Sequence, residues 1–234
     1  MSINTKKECD SILKTPVIVL NVKTYLQAIG KKCLDIAKIM EKISDETGVS
    51  MAISVQATDI RYISENVSIP VYAQHIDPIK PGSNTGWTLA ESVRDAGAVG
   101  TLINHSEHRL NLADIDLCIK KAKDLNLNQI VCSNNVETSK AISTLNPDFV
   151  AVEPPELIGG DISVTRADPD IVKNSVNSVK IINKDVKVLC GAGVKNGEDV
   201  SKAIELGSEG VLLASGVVKA IDKEKVLKDL ASTI

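Results

Sequence analysis

The chain of 234 residues carries 27 Lys and Arg against 30 Asp and Glu, a net charge of −3, with no basic block and no interleaving of aromatic and basic residues, so nucleic acid is not an expected partner. Apolar residues make up 43% of the sequence but aromatics only 2%, so the core must be built from Ile, Val, Leu and Ala, which suit parallel strands buried on both faces. The opening MSINTKKECDSILK lacks a continuous apolar region of signal-peptide length, and no later run reaches the ~18 apolar residues that span a bilayer; no membrane association is expected, and the sequence reads as cytoplasmic.

In chain order, the first strand is TPVIVLN, ending at Asn21 with Lys23 just beyond it. The helical pattern KKCLDIAKIMEKISDE follows, with Cys33, Ile36, Ala37, Met40 and Ile43 on one stripe. VSMAISVQ is the second strand and ATDIRYISEN, after it, a short and weak helical pattern. IPVYAQH is the third, closing on Gln74 and His75, and AVGTLINH the fourth, closing on Asn104 and His105, before the amphipathic DIDLCIKKAKDL. QIVCSN, DFVAVE, VKVLCG and EGVLLAS complete a set of eight, with helical ADPDIVKNSVNSVKII and NGEDVSKAIEL among them. Eight strands each followed by helix or helix-like chain favour a single (β/α)8 barrel over residues 1–234, with an open eight-stranded sheet as the alternative. No linker or low-complexity tract marks a domain boundary.

Five cysteines at 9, 33, 118, 132 and 190 form no C-x-x-C pair, and an odd count fits neither a disulfide framework nor a zinc ribbon. They read as small apolar side chains, with Cys132 and Cys190 singled out because they fall at strand ends.

Barrel active sites lie at the C-terminal ends of the strands, which turns the residues there into candidates. Lys23, His105 and Glu153 come from strands one, four and six, whereas strands seven and eight contribute the small runs CGAGV and LLASG. Small residues let backbone N–H groups approach an anion, and helix starts there would add their positive ends. Tight turns at Gly191, Gly193 and Gly216 would explain the same glycines without a ligand. HSEH offers two histidines but no third ligand, so no metal is expected. Glu107 is expected in the first helical turn after His105, where a carboxylate is favoured by the helix dipole. A lysine, a histidine and a glutamate facing an anion cradle suit proton transfer beside a carbonyl: a fixed charge, an electrophile and a base.

These residues resemble the triosephosphate isomerase family, and its short archaeal branch in particular. LNVKTY stands where the family has Asn-x-Lys on strand one, NHSEHR resembles its His-Ser-Glu box, VEPPELIGG its base and lid, and CGAGV and LLASG its two phosphate loops, in the family's order from residue 16 to about 220. The resemblance implies Glu153 as proton acceptor and His105 as neutral electrophile, a pairing for which this family is the standard example. It further implies substrate contacts from Asn21 and Lys23, phosphate contacts near Gly159, Gly193, Ala214 and Ser215, and Ile158 in a closing lid. It also implies triose phosphate substrates, no cofactor and a homotetramer. Asn104, where the family usually has glycine, and His75, where asparagine is common, depart from its pattern. Another sugar-phosphate isomerase and a non-catalytic barrel that binds a phosphorylated metabolite are the competing readings, the latter because fold alone does not guarantee activity.

Overall fold

The computed structural model describes residues 13–158 and 163–234. Its eight strands are β1 (Val17–Asn21), β2 (Ser50–Val55), β3 (Val71–Ala73), β4 (Gly100–Ile103), β5 (Asn128–Ser133), β6 (Phe149–Val152), β7 (Lys187–Gly191) and β8 (Gly210–Leu213). All neighbours pair in parallel and β1 pairs with β8, so the sheet closes into the barrel expected from the sequence.

Ten helices surround it among the described residues: α1 (Lys31–Thr47), α2 (Ile60–Ser64), α3 (Ala90–Asp95), α4 (Leu112–Asp124), α5 (Val136–Ser143), α6 (Val164–Ala167), α7 (Pro169–Ile182), α8 (Gly197–Glu205), α9 (Ser215–Val218) and α10 (Lys223–Ala231). On α1 the buried residues are Cys33, Ile36, Ala37, Met40 and Ile43, the stripe read from the sequence. Asn111, Asn135, Asp168, Asn196 and Asp222 each cap a helix by accepting a backbone N–H three residues on. No helix among the described residues is long and apolar enough to cross a membrane.

Strand alternation sorts the core into two layers. Val17, Val19, Ile130, Phe149, Ala151, Leu189 and Leu212 fill the barrel, while Ile18, Leu20, Val131, Val150, Val188 and Val211 face the helices. Each fully buried aliphatic side chain contributes about 1.5–3 kcal/mol relative to exposure. Two rings, Tyr72 and Phe149, sit fully buried inside the barrel, and the first has room because Gly100 lies against it: a Cβ there would come within 2.2 Å of the Tyr72 ring. The same alternation decides what the barrel mouth receives. Continuing the inward set by two residues brings Asn21 from β1, Glu153 just past β6 and Gly191 from β7 to one face.

Candidate active site

Glu153 stands at the mouth on a fixed backbone, its N–H donating to the Ser133 carbonyl of β5 at 2.8 Å. Only 6% of the residue is exposed. Gly191 makes that position possible, because a Cβ there would lie 2.4 Å from Glu153 Cγ. The glycine is therefore a space for the carboxylate rather than a tight turn, and Gly216, inside α9, is likewise not a turn; of the three glycines read as possible turns, only Gly193 has a positive φ, +75°. Burial pushes the Glu153 carboxyl above its ordinary range, opposed in part by the nearby His105 ring and the Lys23 ammonium, which favour the ionised form.

His105 is 6% exposed, and its Nε2 lies 3.4 Å from Glu153 Oε2. Both atoms are buried and have no hydrogen-bond partner. The other ring nitrogen, Nδ1, accepts the Glu107 N–H at 3.2 Å, which places the proton of a neutral ring on Nε2 and aims it into the site. Glu107 is thus not in a helix, as the sequence suggested: residues 104–110 form a turn, and α4 begins only at Leu112 after the cap Asn111. The turn is closed by Asn104, whose Oδ1 accepts the Leu110 N–H at 2.9 Å and whose Nδ2 donates to the Cys132 carbonyl at 3.0 Å. Asn104 adopts φ 61°, the left-handed region that asparagine tolerates and that explains its standing where glycine was expected.

Lys23 is held at φ 49° just past β1. Asn21 Oδ1 accepts the Lys23 N–H at 3.0 Å and the Gln74 Nε2–H at 3.2 Å, and Gln74 Nε2 also donates to the Lys23 carbonyl at 3.0 Å. The Lys23 ammonium meets Glu107 Oε1 at 2.7 Å. One carboxylate therefore ties the strand-one lysine to the histidine turn. His75 lines the same cleft as Lys23, His105 and Glu107, stacking on His108 with ring centroids 4.0 Å apart and bonding Asp77 at 3.0 Å. Among the described residues, no three His, Cys, Asp or Glu side chains are grouped so as to hold a metal ion.

A cleft opens beside Glu153. Asn21, Lys23, Ile158, Gly193, Ala214 and Ser215 line it with Glu153, and His105 lines the adjoining cleft, which Asn21 and Lys23 share. Gly159 lies outside the described residues. Ala192, before Gly193, is at φ 72°. Lys23 and Ala192 are the two residues other than Gly and Asn with positive φ among the described residues, and both border this cleft. Such strain costs of order 1–3 kcal/mol and collects where the surroundings enforce it. α9, which begins at Ser215 on this cleft, is a single turn of four residues.

A family model described as triosephosphate isomerase matches residues 16–231. The chain belongs to the triosephosphate isomerase family. It is 58% identical over 218 residues to the triosephosphate isomerase of Methanocaldococcus jannaschii, covering 93% of this chain and 100% of the relative. To that of Methanothermus fervidus it is 56% identical over 215 residues, covering 92% and 97%, and to that of Methanobacterium bryantii 54% over 225 residues, covering 96% and 100%. The resemblance read from the motifs thus holds, and the chain is an isomerase.

On this cleft of a triosephosphate isomerase family chain, sequence reading missed Lys195, a second lysine. Lys23 is not the sole cation there. The signal was present in the residue directly after CGAGV. Cys132 faces inward beside Glu153, whereas Cys190 belongs to the layer against the helices. Burial first, and then the charge of Glu153, push both thiols well up, so they stay protonated and unreactive.

Proposed function

We propose that this chain interconverts dihydroxyacetone phosphate and D-glyceraldehyde 3-phosphate through an enediolate, with Glu153 carrying the proton between adjacent carbons and His105 Nε2–H polarising the carbonyl oxygen. The observation that carries the reading is the pair of buried, unpartnered atoms, His105 Nε2 and Glu153 Oε2, 3.4 Å apart, on two adjoining clefts that share Asn21 and Lys23. A base and a donor that satisfy no protein group are positioned for a substrate. Glu153 takes a proton from the carbon beside the carbonyl as negative charge develops on the oxygen facing His105; the same carboxyl returns the proton to the neighbouring carbon. No external oxidant or reductant is consumed. Lys23 supplies a cation near the developing charge, Asn21 fixes its backbone, and amides near Gly193, Ala214 and Ser215 receive the phosphate, with Ile158 covering the cleft.

The site of each chain serves one catalytic barrel domain. In the same reading the protein is a cytoplasmic homotetramer of glycolysis and gluconeogenesis, in keeping with its resemblance to the short archaeal branch. A coupled assay of glyceraldehyde 3-phosphate isomerisation tests the activity, and Glu153→Gln tests the base. The variant keeps the side-chain shape, so kcat falls by at least the ~10²–10⁴ that general-base catalysis supplies, while 2-phosphoglycolate still binds by calorimetry. Undiminished kcat would move the base elsewhere. A wild-type protein that binds the inhibitor without turning over substrate would be a metabolite-binding barrel instead.

A further inference from the structure

We propose that Asp199 is a positioning residue that fastens the chain downstream of the Glu153 loop to the loop after β7 that lines the cleft, so that one buried carboxylate joins the two segments. The inference rests on the function proposed above. Asp199 lies in the first turn of α8 and is 4% exposed. Its Oδ1 accepts the Ser163 hydroxyl at 2.8 Å and Arg166 Nε at 3.1 Å; its Oδ2 accepts the Lys195 N–H at 3.0 Å. Ser163 and Arg166 frame α6, which begins where the chain leaves the Glu153 loop, and Lys195 shares the cleft wall with Gly193. A backbone bond from Val164 N–H to the Ala192 carbonyl, at 3.1 Å, joins the same two segments.

A carboxylate at the start of α8 would satisfy the helix end while exposed to water. Burying it is costly unless partners repay the lost hydration. Here the partners come from 33 and 36 residues upstream, so the carboxylate serves the junction and not only its own helix. Its bond to the Lys195 N–H also occupies that amide, which leaves the loop's other amides for an anion. Ala192 at φ 72° lies in this loop, which needs an external restraint to hold a conformation that alanine disfavours.

The test compares Asp199→Asn with wild type in three readouts: kcat/KM, the dissociation constant for inorganic phosphate, and the fraction of turnovers that end in methylglyoxal by loss of phosphate from the enediolate. Misplacement on the order of 1 Å can cost ~10² in rate, so kcat/KM is expected to fall roughly tenfold to a hundredfold at unchanged secondary structure by circular dichroism. The phosphate constant and the methylglyoxal fraction should both rise. Arg166→Ala removes one of the two side-chain bonds from the α6 segment to Asp199, together with the Arg166–Glu198 ion pair, and leaves the Lys195 bond in place; it should raise the methylglyoxal fraction while leaving phosphate affinity at the wild-type value. A lower Tm with all three functional readouts unchanged, or a change in only one of the two coupled readouts in Asp199→Asn, overturns the proposal. If Asp199→Asn does not fold, Ser163→Ala and Arg166→Ala decide: a wild-type methylglyoxal fraction in both overturns it. An inactive wild-type protein would sink the proposed function itself, whereas an active one with indifferent variants sinks only this inference.

Discussion

To act as the base proposed above, Glu153 must lose most of its hydration, and its raised pKa records that cost. Two consequences follow with opposite benefit. Since the ionised form is the base, kcat/KM falls as pH drops through a value above the ~4.3 of an ordinary glutamate, and a pH profile of kcat/KM measures that limb. For stability the sign reverses: an acid whose folded pKa is raised helps the fold below its unfolded pKa, and the help is lost as pH rises through the folded value. At neutral pH ionised Glu153 is therefore a liability, and Glu153→Gln should raise Tm at pH 7 while lowering turnover. A Gln variant that is less stable than wild type at pH 7, or an acid limb at the ordinary carboxylate value, would contradict this account. Gly191 belongs to the same bargain, since the space it leaves is where the carboxylate is confined.

Among the elements, the turn at residues 104–110 does for His105 what β6 does for Glu153. Asn104→Ala would leave the buried Cys132 carbonyl without this partner, at about 1–3 kcal/mol if it stays unpaired, would free the part-buried Leu110 N–H, and would put a Cβ-bearing residue without a side-chain bond at φ 61°. Asn104→Gly loses the bonds but not the backbone ease. Both variants are expected to lose kcat, with the alanine form the less stable of the two by thermal melting; wild-type kcat in both would show that the turn does not position the histidine. This turn also marks where sequence reading stopped short. Short runs of branched aliphatics made all eight strands legible, and the α1 stripe was legible from its 3.6-residue spacing. Glu107 was misplaced because helical periodicity says nothing about a turn closed by a side chain reaching back from Asn104 to Leu110. α5 and α10 are not among the helical patterns read from the sequence, yet Asn135 and Asp222 cap them and signal their starts. Glu153, His105 and Lys23 were legible as residue types at strand ends. Their mutual geometry was not, since it depends on closure and on inward alternation across β1, β4 and β6. Asp199 was hidden for the same reason: nothing local to NGEDV shows that its carboxylate meets Ser163.

For the whole molecule, a tetramer is the expectation that the archaeal-type resemblance brings, and the barrel adds a constraint of its own. Its sheet is sealed by the first and last strands, with Val17 opposite Gly210 and Leu20 opposite Leu213. The seam is tight: a Cβ on Gly210 would lie 2.2 Å from the Val17 carbonyl oxygen. A chain truncated after residue 208 lacks β8 and leaves β1 and β7 as open edges, which invite pairing with other chains. It should aggregate or remain monomeric and inactive in light scattering and isomerase assays; a soluble, active fragment would show that closure is dispensable. The cleft straddles this seam, with Asn21 and Lys23 on the β1 side and Ala214 and Ser215 on the β8 side. On a ribosome adding about 5–20 residues per second, the first wall of the substrate pocket is made early and must wait, on the order of ten seconds or more, for the wall that completes it. The candidate site is thus among the last things the growing chain can assemble, and in the reading proposed above the first turnover reports that the two ends of the sequence have met.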